Sequence, residues 1–298
     1  GIKMNIKELF ENKKVVFSFE IFPPKTTSSI ETIYKTLDSL KGLSPDYMSI
    51  TFGAGGSVQD NRTIELSSLV KNKYGIEAVA HLTCISSTKN EIEYYLEKLK
   101  ENNIENILGL RGDVPADGKI IGEFNHANEL IDFINQKGKF NIAAACYPEG
   151  HIEHKGLYRE IESMKRKEEA GASYFISQLF FDNNLFYNFK DEVRAANIKL
   201  PIEAGIMPVT NKKQIERMVA VSGASFPDKF KRIIERYEHN PEALRDAGIA
   251  YAVEQIVDLV STGVEGIHLY VMNNPYVAEK ISGSVGRIIE SINKVELV

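Results

Sequence analysis

The chain predicts a closed α/β barrel of the (β/α)8 type, elaborated by an extra helix inserted before its last strand. Three observations carry that expectation. Short apolar runs begin near residues 15, 47, 76, 104, 141, 173 and 201, an interval of roughly thirty residues, which suits one strand plus one returning helix. Each run stops on a polar or glycine-containing cluster before a helical stretch, as strand tips do on the active face of such a barrel. The interval breaks once, between residues 206 and 266, where helices fit near 211–221, 226–238 and 241–262.

The strands follow in order. Val15 to Phe19 ends at Glu20, Tyr47 to Ile50 at Thr51, and Ala78 to Ala80 at His81. Ile107 to Leu110 ends at Arg111-Gly112-Asp113, and Ile142 to Cys146 at Tyr147. Tyr174 to Ser177 ends at Gln178, Ile202 to Ile206 runs into Met207-Pro208, and Gly266 to Tyr270 is the eighth. Between them, helices fit at 29–41, 60–73, 89–102, 126–137, 158–170 and 184–196. Asp60 suits a helix start, and Thr88 with Glu91 suits a capping box. Gly75, Gly138 and Gly171 lie where helices should stop. One domain over 1–298 is expected, because no linker or shift of composition divides the chain. Gly1-Ile2-Lys3 ahead of Met4 reads as an expression remnant.

Composition narrows the function classes. A hydrophobic share of 43% and a charged share of 26% over 298 residues suit a globular enzyme. The net charge of -5 offers no electrostatic footprint for nucleic acid. No apolar stretch approaches the roughly 18 residues of a membrane span, and no signal-peptide pattern opens the chain. Two cysteines, Cys84 and Cys146, are too few for a disulfide framework, so a cytoplasmic setting is expected.

Candidate chemistry gathers at the strand tips. In Phe17-Ser18-Phe19-Glu20-Ile21-Phe22-Pro23-Pro24-Lys25 a carboxylate sits among aromatic rings ahead of a stiff diproline. Desolvation there should raise its pKa and suit it to general-acid work. Arg111-Gly112-Asp113 joins a phosphate-matching guanidinium to a glycine and an acidic acceptor, although a surface ion pair is an equal reading. His81 and His151 lack the close spacing of a metal pair and read as hydrogen-bonding residues. Lys165-Arg166-Lys167 reads first as a solvated helix face, and Phe180-Phe181 as packing. Gly53-Ala54-Gly55-Gly56 looks like a phosphate loop without the spacing of the Rossmann fingerprint or the P-loop.

Taken together these strings resemble the methylenetetrahydrofolate reductases. The resemblance spans roughly residues 10–286 and rests on F-S-F-E-I-F-P-P-K at 17–25, T-F-G-A-G-G at 51–56, H-L-T-C-I at 81–85 and L-R-G-D at 110–113. It continues through Y-P-E-G-H at 147–151, M-K-R-K at 164–167, Q-L-F-F-D at 178–182 and G-I-M-P-V-T-N at 205–211.

The resemblance implies an oxidoreductase that holds FAD at the C-terminal ends of its strands. Hydride would pass from a reduced nicotinamide to 5,10-methylenetetrahydrofolate, giving 5-methyltetrahydrofolate by ping-pong turnover. It implies a flavin site of Thr51, Phe52, Ala54, His81, Arg111, Gly112, Asp113, Ala127, Tyr147, His151, Arg166 and Lys167. It further implies Glu20 as catalytic acid, Asp113 as a second catalytic group facing the pterin, and Gln178 touching both folate and donor. A homo-oligomer or a partner subunit is expected. At two positions the chain departs from the pattern: Lys212 replaces an aromatic that stacks NADH, and Asn274 replaces an arginine that meets the folate tail. The donor is therefore left among NADH, NADPH and a reduced carrier protein, with Lys25 or Lys280 open for the tail. Two other readings remain: a flavin and folate subunit fed by a partner protein, and a metal-dependent barrel enzyme using His81, His151, Glu20 and Asp113.

Overall fold

A computed structural model describes residues 5–24, 33–52, 62–120, 122–151 and 153–294. The barrel begins with β1 (Val16–Ile21), β2 (Tyr47–Ile50), β3 (Glu77–Thr83), β4 (Asn106–Leu110) and β5 (Asn141–Cys146). A small antiparallel hairpin, β6 (Gly150–His151) and β7 (His154–Lys155), projects beyond β5. Next come β8 (Tyr174–Ser177), β9 (Ile202–Ile206) and β10 (Gly266–Tyr270). Eight of these strands pair in parallel and close on themselves, with β10 returning to β1. The closed (β/α)8 fold is as expected.

The helices fall where the sequence places them, joined by one more ahead of β1 and one after β10. They are α1 (Ile6–Asn12), α2 (Tyr34–Lys41), α3 (Thr63–Ser68), α4 (Lys89–Glu101), α5 (Ala127–Gln136), α6 (Leu157–Ala170) and α7 (Asn183–Ala195). The remainder are α8 (Lys212–Ser222), α9 (Asp228–Tyr237), α10 (Pro241–Ser261) and α11 (Pro275–Lys294). The last three before β10 fill the long interval. The capping box at α4 forms as read, with Thr88 accepting from the Glu91 N–H and Glu91 accepting from the Thr88 N–H. Asp60 lies outside the described residues, and α3 starts at Thr63 and continues as a π-helical turn over Leu69–Lys73. Phe180 and Phe181 are packing residues, stacked on Phe186 and Phe230. Cys84 and Cys146 are buried and free.

Two apolar layers fix the site's position. One lies between the strands and the helices around them. The other fills the lower barrel with Val16, Tyr47, Val79, Leu108 and Tyr174, and Ile6 and Leu9 of α1 plug it from below. Successive strand residues face opposite sides, and Ser18 pairs in register with His268, as Glu20 does with Ser49. The inward residues above the plug are therefore polar. Among the described residues no helix is long and apolar enough to cross a membrane.

Candidate active site

Glu20 is the penultimate residue of β1, its side chain 20% exposed at the barrel mouth. Ser49 Oγ donates to Glu20 Oε1 at 3.3 Å, and His268 Nε2 lies 3.4 Å from the same oxygen. His81 Nε2 is also 3.4 Å away, yet makes no hydrogen bond among the described residues. Burial is the largest influence on Glu20 and raises its pKa, as expected from its aromatic setting. The hydrogen bond to His268, the neighbouring imidazoles and Ser49 together outweigh it and leave the carboxyl below its ordinary value. The expected upward shift is thus corrected: the string around Glu20 shows its apolar neighbours and hides the imidazoles brought by β3 and β10. His81 itself is pushed down to about 4 by burial, so it is a neutral imidazole near pH 7.

Beneath Glu20 a second set of polar groups descends into the barrel. His268 Nδ1 lies 2.6 Å from Ser18 Oγ, which lies 2.8 Å from Glu203 Oε2. The Tyr47 hydroxyl donates to the other carboxylate oxygen. Glu203 is fully buried, and burial pushes its pKa up to about 7 against the lowering effects of His268, Tyr47 and Ser18. Sequence reasoning missed these residues. A glutamate inside the apolar run of β9 was the available signal, as was a serine two positions before Glu20 on the same strand face.

Beside the barrel mouth lies a cavity of about 1290 Å³. It is lined by aromatic Phe52, Tyr147 and His151 and by cationic Arg111, Arg159, Arg166 and Lys167. Gly112 adopts φ 88°, which a glycine tolerates and other residues rarely do. Arg111 forms a bidentate pair with Glu153 at 2.8 and 3.0 Å, not with Asp113. The Tyr147 and His151 rings meet edge to face, centroids 4.7 Å apart. Lys167 is buried, donates to the Ala145 carbonyl at 2.8 Å, and faces Glu160 electrostatically. Tyr270 joins the two regions: burial, then the charges of Glu20, Cys146 and Tyr147, hold its phenol well above the ordinary value.

A family model for methylenetetrahydrofolate reductase matches residues 5–286. The chain belongs to the methylenetetrahydrofolate reductase family. Among the relatives it resembles, "5,10-methylenetetrahydrofolate reductase" of Escherichia coli is 32% identical over 270 residues, covering 90% of each chain. The Pectobacterium carotovorum protein of the same name is 31% identical, covering 92% of this chain and 91% of its own. "Methylenetetrahydrofolate reductase (NADH) 1" of Arabidopsis thaliana is 35% identical over 96% of this chain. The chain spans about half the length of such plant relatives, 51% in that case. By fold it resembles an uncharacterized Clostridium thermocellum protein described as binding two copies of 5-methyl-5,6,7,8-tetrahydrofolic acid, with TM-score 0.70 at 15% identity over 97% and 100% of the two chains.

Most of the residues that the methylenetetrahydrofolate reductase pattern marks fall into two groups. Phe52, Arg111, Gly112, Asp113, Ala127, Tyr147, His151, Arg166 and Lys167 line the large cavity. Glu20 and His81 meet at the barrel mouth. Thr51 follows β2, its carbonyl accepting from the Thr63 hydroxyl at 2.7 Å. Gln178 follows β8, its side-chain oxygen accepting from the Leu179 N–H at 3.0 Å. Ala54 and Lys25 lie outside the described residues. Lys212 is exposed at the first turn of α8. Asn274, in the place expected for arginine, caps α11 by accepting from the Val277 N–H at 3.3 Å. The alternative metal set does not assemble: among the described residues no three His, Cys, Asp or Glu side chains gather as metal ligands would.

A pH effect follows from Glu160, 3% exposed, whose carboxyl accepts from the Tyr147 N–H at 3.0 Å. Burial raises its pKa from 4.5 to about 7, with Lys167 pulling the other way. The folded state therefore binds this proton more tightly than the unfolded chain, so its stabilising contribution is full below pH 4.5 and is lost as pH rises through about 7. The loss is on the order of 3 kcal/mol. Neutral His81 acts oppositely, gaining stability as pH rises between about 4 and 6.5. Thermal unfolding of Glu160→Gln against the parent from pH 5 to 8 separates them: the variant's relative stability is expected to rise with pH. A flat difference would show that Glu160 is not held protonated.

Proposed function

We propose that the chain is a catalytic domain that reduces 5,10-methylenetetrahydrofolate to 5-methyltetrahydrofolate by flavin-dependent, ping-pong turnover with a reduced nicotinamide donor. What carries the reading is the conjunction of family membership with Glu20 seated among two imidazoles and a serine at the barrel mouth. The residues present fit FAD. The cavity exceeds the roughly 300–1000 Å³ of ordinary ligand pockets, and its basic side, with Arg111, Arg159 and Arg166, suits a pyrophosphate. His81 Nε2 is a buried polar atom without a hydrogen bond, placed where a ring ligand could supply one.

When bound, FAD would supply a two-electron carrier that accepts and returns hydride. Phe52, Tyr147 and His151 would pack its flat portions, and Arg111 would exchange Glu153 for a phosphate of similar geometry. Glu20 would hold a proton for nitrogen 10 of the folate. The methylene bridge is unreactive as a closed ring, and protonating nitrogen 10 opens it to an iminium at nitrogen 5. Asp113 would face the pterin and favour the developing cation. Asp113→Asn is therefore expected to slow folate reduction by roughly tenfold or more, a larger effect than its weakening of FAD binding. Equal losses in both would make its role structural.

Purified protein should be yellow, absorbing near ~450 nm as oxidised flavins do. A colourless protein that takes up no FAD on titration defeats the reading. A second reading, in which a partner protein delivers the electrons, is favoured by Lys212 in place of the aromatic that stacks NADH in relatives. Anaerobic stopped-flow decides between them: bleaching by NADH or NADPH alone supports the self-sufficient enzyme, and bleaching only by a reduced carrier protein supports the other.

A further inference from the structure

We propose that Glu203, Ser18 and His268 form a proton relay through the barrel interior that loads Glu20, with Glu203 seating the stored proton and His268 handing it over. The proposal rests on the acid role given to Glu20 above and extends it.

The geometry is a continuous line of polar atoms. Glu203 Oε2, Ser18 Oγ and His268 Nδ1 are linked at 2.8 and 2.6 Å, and His268 Nε2 lies 3.4 Å from Glu20 Oε1. Ser49 Oγ, 3.3 Å from both Glu20 Oε1 and His268 Nε2, holds the last pair together. Ser18, Glu203 and His268 are completely buried, and α1 seals the barrel below them. Space for the carboxyl is provided by Gly266, where a Cβ would come within 2.4 Å of Glu203 Cγ. An unpaired charge in such a place is costly, so the network is stable only while its donors and acceptors match.

Matching couples the two ends. A hydroxyl has one hydrogen. If Glu203 is ionised, Ser18 donates to it, His268 Nδ1 must carry a hydrogen to donate to Ser18, and Nε2 is left as an acceptor. Nε2 then accepts from a protonated Glu20 carboxyl or, once that proton has passed to solvent, from Ser49 Oγ. If Glu203 is protonated, it donates to Ser18, Ser18 donates to Nδ1, and Nε2–H faces a Glu20 carboxylate. The two states differ by three hand-offs: Glu203 to Ser18 Oγ, Ser18 to His268 Nδ1, and Nε2 to Glu20 Oε1. One proton leaves Glu203 and one arrives on Glu20, while Ser18 and His268 each give up one hydrogen and gain another.

Such a relay answers two difficulties. Glu20 alone is held below its ordinary pKa, and a folate over the mouth would cut its remaining 20% exposure to water. Glu203, pushed up to about 7, can keep a proton near neutrality and release it. After Glu20 has protonated nitrogen 10 and product has left, Glu20 takes a proton from water and the hand-offs run backwards. The groups that bias these ends are on the surrounding strands. Tyr47 and Tyr174 face Glu203, with Asp46 raising its pKa from further off, and His81 and Tyr270 face Glu20.

The test uses the full chain and needs no ligand for its first readout. In 15N-imidazole-labelled protein, assigned by subtraction with His268→Gln, the His268 tautomer is expected to switch as pH crosses about 7. In Glu203→Gln, which keeps hydrogen bonds to Tyr47 and Ser18, it should stay fixed. Ser18→Ala breaks the line at its middle and should fix the tautomer too, which covers a Glu203 variant that fails to fold. In the second readout, single-turnover folate reduction by either variant should slow by roughly tenfold or more and lose its pH dependence near neutrality. Reduction of the protein by its donor should be unchanged. A His268 tautomer indifferent to both substitutions, in a protein that reduces folate, overturns the relay alone. A parent protein that reduces no folate overturns the proposed function, while the tautomer measurement still reports on the relay.

Discussion

Replacing Glu20 by glutamine should lower folate reduction by about 10²–10⁴-fold, the usual yield of one general acid, while the protein still binds flavin and accepts electrons from its donor. Glutamine matches glutamate in shape, and its side-chain oxygen can accept from Ser49 Oγ, so the barrel mouth keeps its packing. What it lacks is a transferable proton. Without one, nitrogen 10 leaves unprotonated, and the iminium that accepts hydride does not form in useful amounts. The measurement is a pair of anaerobic half-reactions on one preparation, donor first and folate second. Near-normal folate reduction by Glu20→Gln would remove Glu20 from the acid role. Equal loss in both half-reactions would mean that the residue holds the fold or the flavin instead.

The largest stability effect is expected at Gly248, inside α10. Its backbone rests directly on the segment after β9: an added Cβ would come within 1.6 Å of the Val209 carbonyl oxygen and 2.7 Å of the carbonyl carbon. Both are backbone atoms, so no side-chain rotation can relieve the clash. Alanine favours a helix over glycine by about 1 kcal/mol, and on an exposed turn the change would stabilise. Here α10 must move away from Val209, loosening the cluster of Phe181, Val209, Met218 and Phe230 and the bond from the Tyr251 hydroxyl to the Phe181 carbonyl at 2.6 Å. Overpacking of this kind costs about 3 kcal/mol, which outweighs the propensity gain. Gly248→Ala should therefore lower Tm by several degrees, whereas Gly283→Ala, where a Cβ meets nothing within 4 Å, should leave it unchanged or raise it. Equal Tm values for the two variants would show that α10 is not pressed against Val209.

How much of this was legible beforehand depended on the range of the interaction. The strand interval, the Thr88–Glu91 capping box and the long helical insertion before β10 are carried by residues close in sequence. So are the strand tips, because a parallel barrel brings every C-terminal strand end to one face. Glu20, His81, Arg111 and Tyr147 could be named from their positions alone. Partners could not. The run Arg111-Gly112-Asp113 suggests a local ion pair, yet Arg111 reaches Glu153, 42 positions away. The run 165–167 looks like one solvated face, yet Lys167 turns inward onto the Ala145 carbonyl while Arg166 stays exposed. A helix turns about 100° per residue, so three consecutive cations cannot share an environment.

The expected rise in the Glu20 pKa failed for the same reason. Its apolar neighbours are adjacent in sequence and visible there. The imidazoles that oppose desolvation come from His81 and from His268, 248 positions away. Hydrophobic periodicity and strand-end chemistry are properties of short segments, and from them the chain specified a barrel, the face where its strand tips gather and the carboxylate proposed as its acid. Electrostatic environment is a sum over neighbours in space. Only closure of β10 against β1 brought His268 between Glu20 and Ser18, and only the register of β9 set Glu203 beneath them.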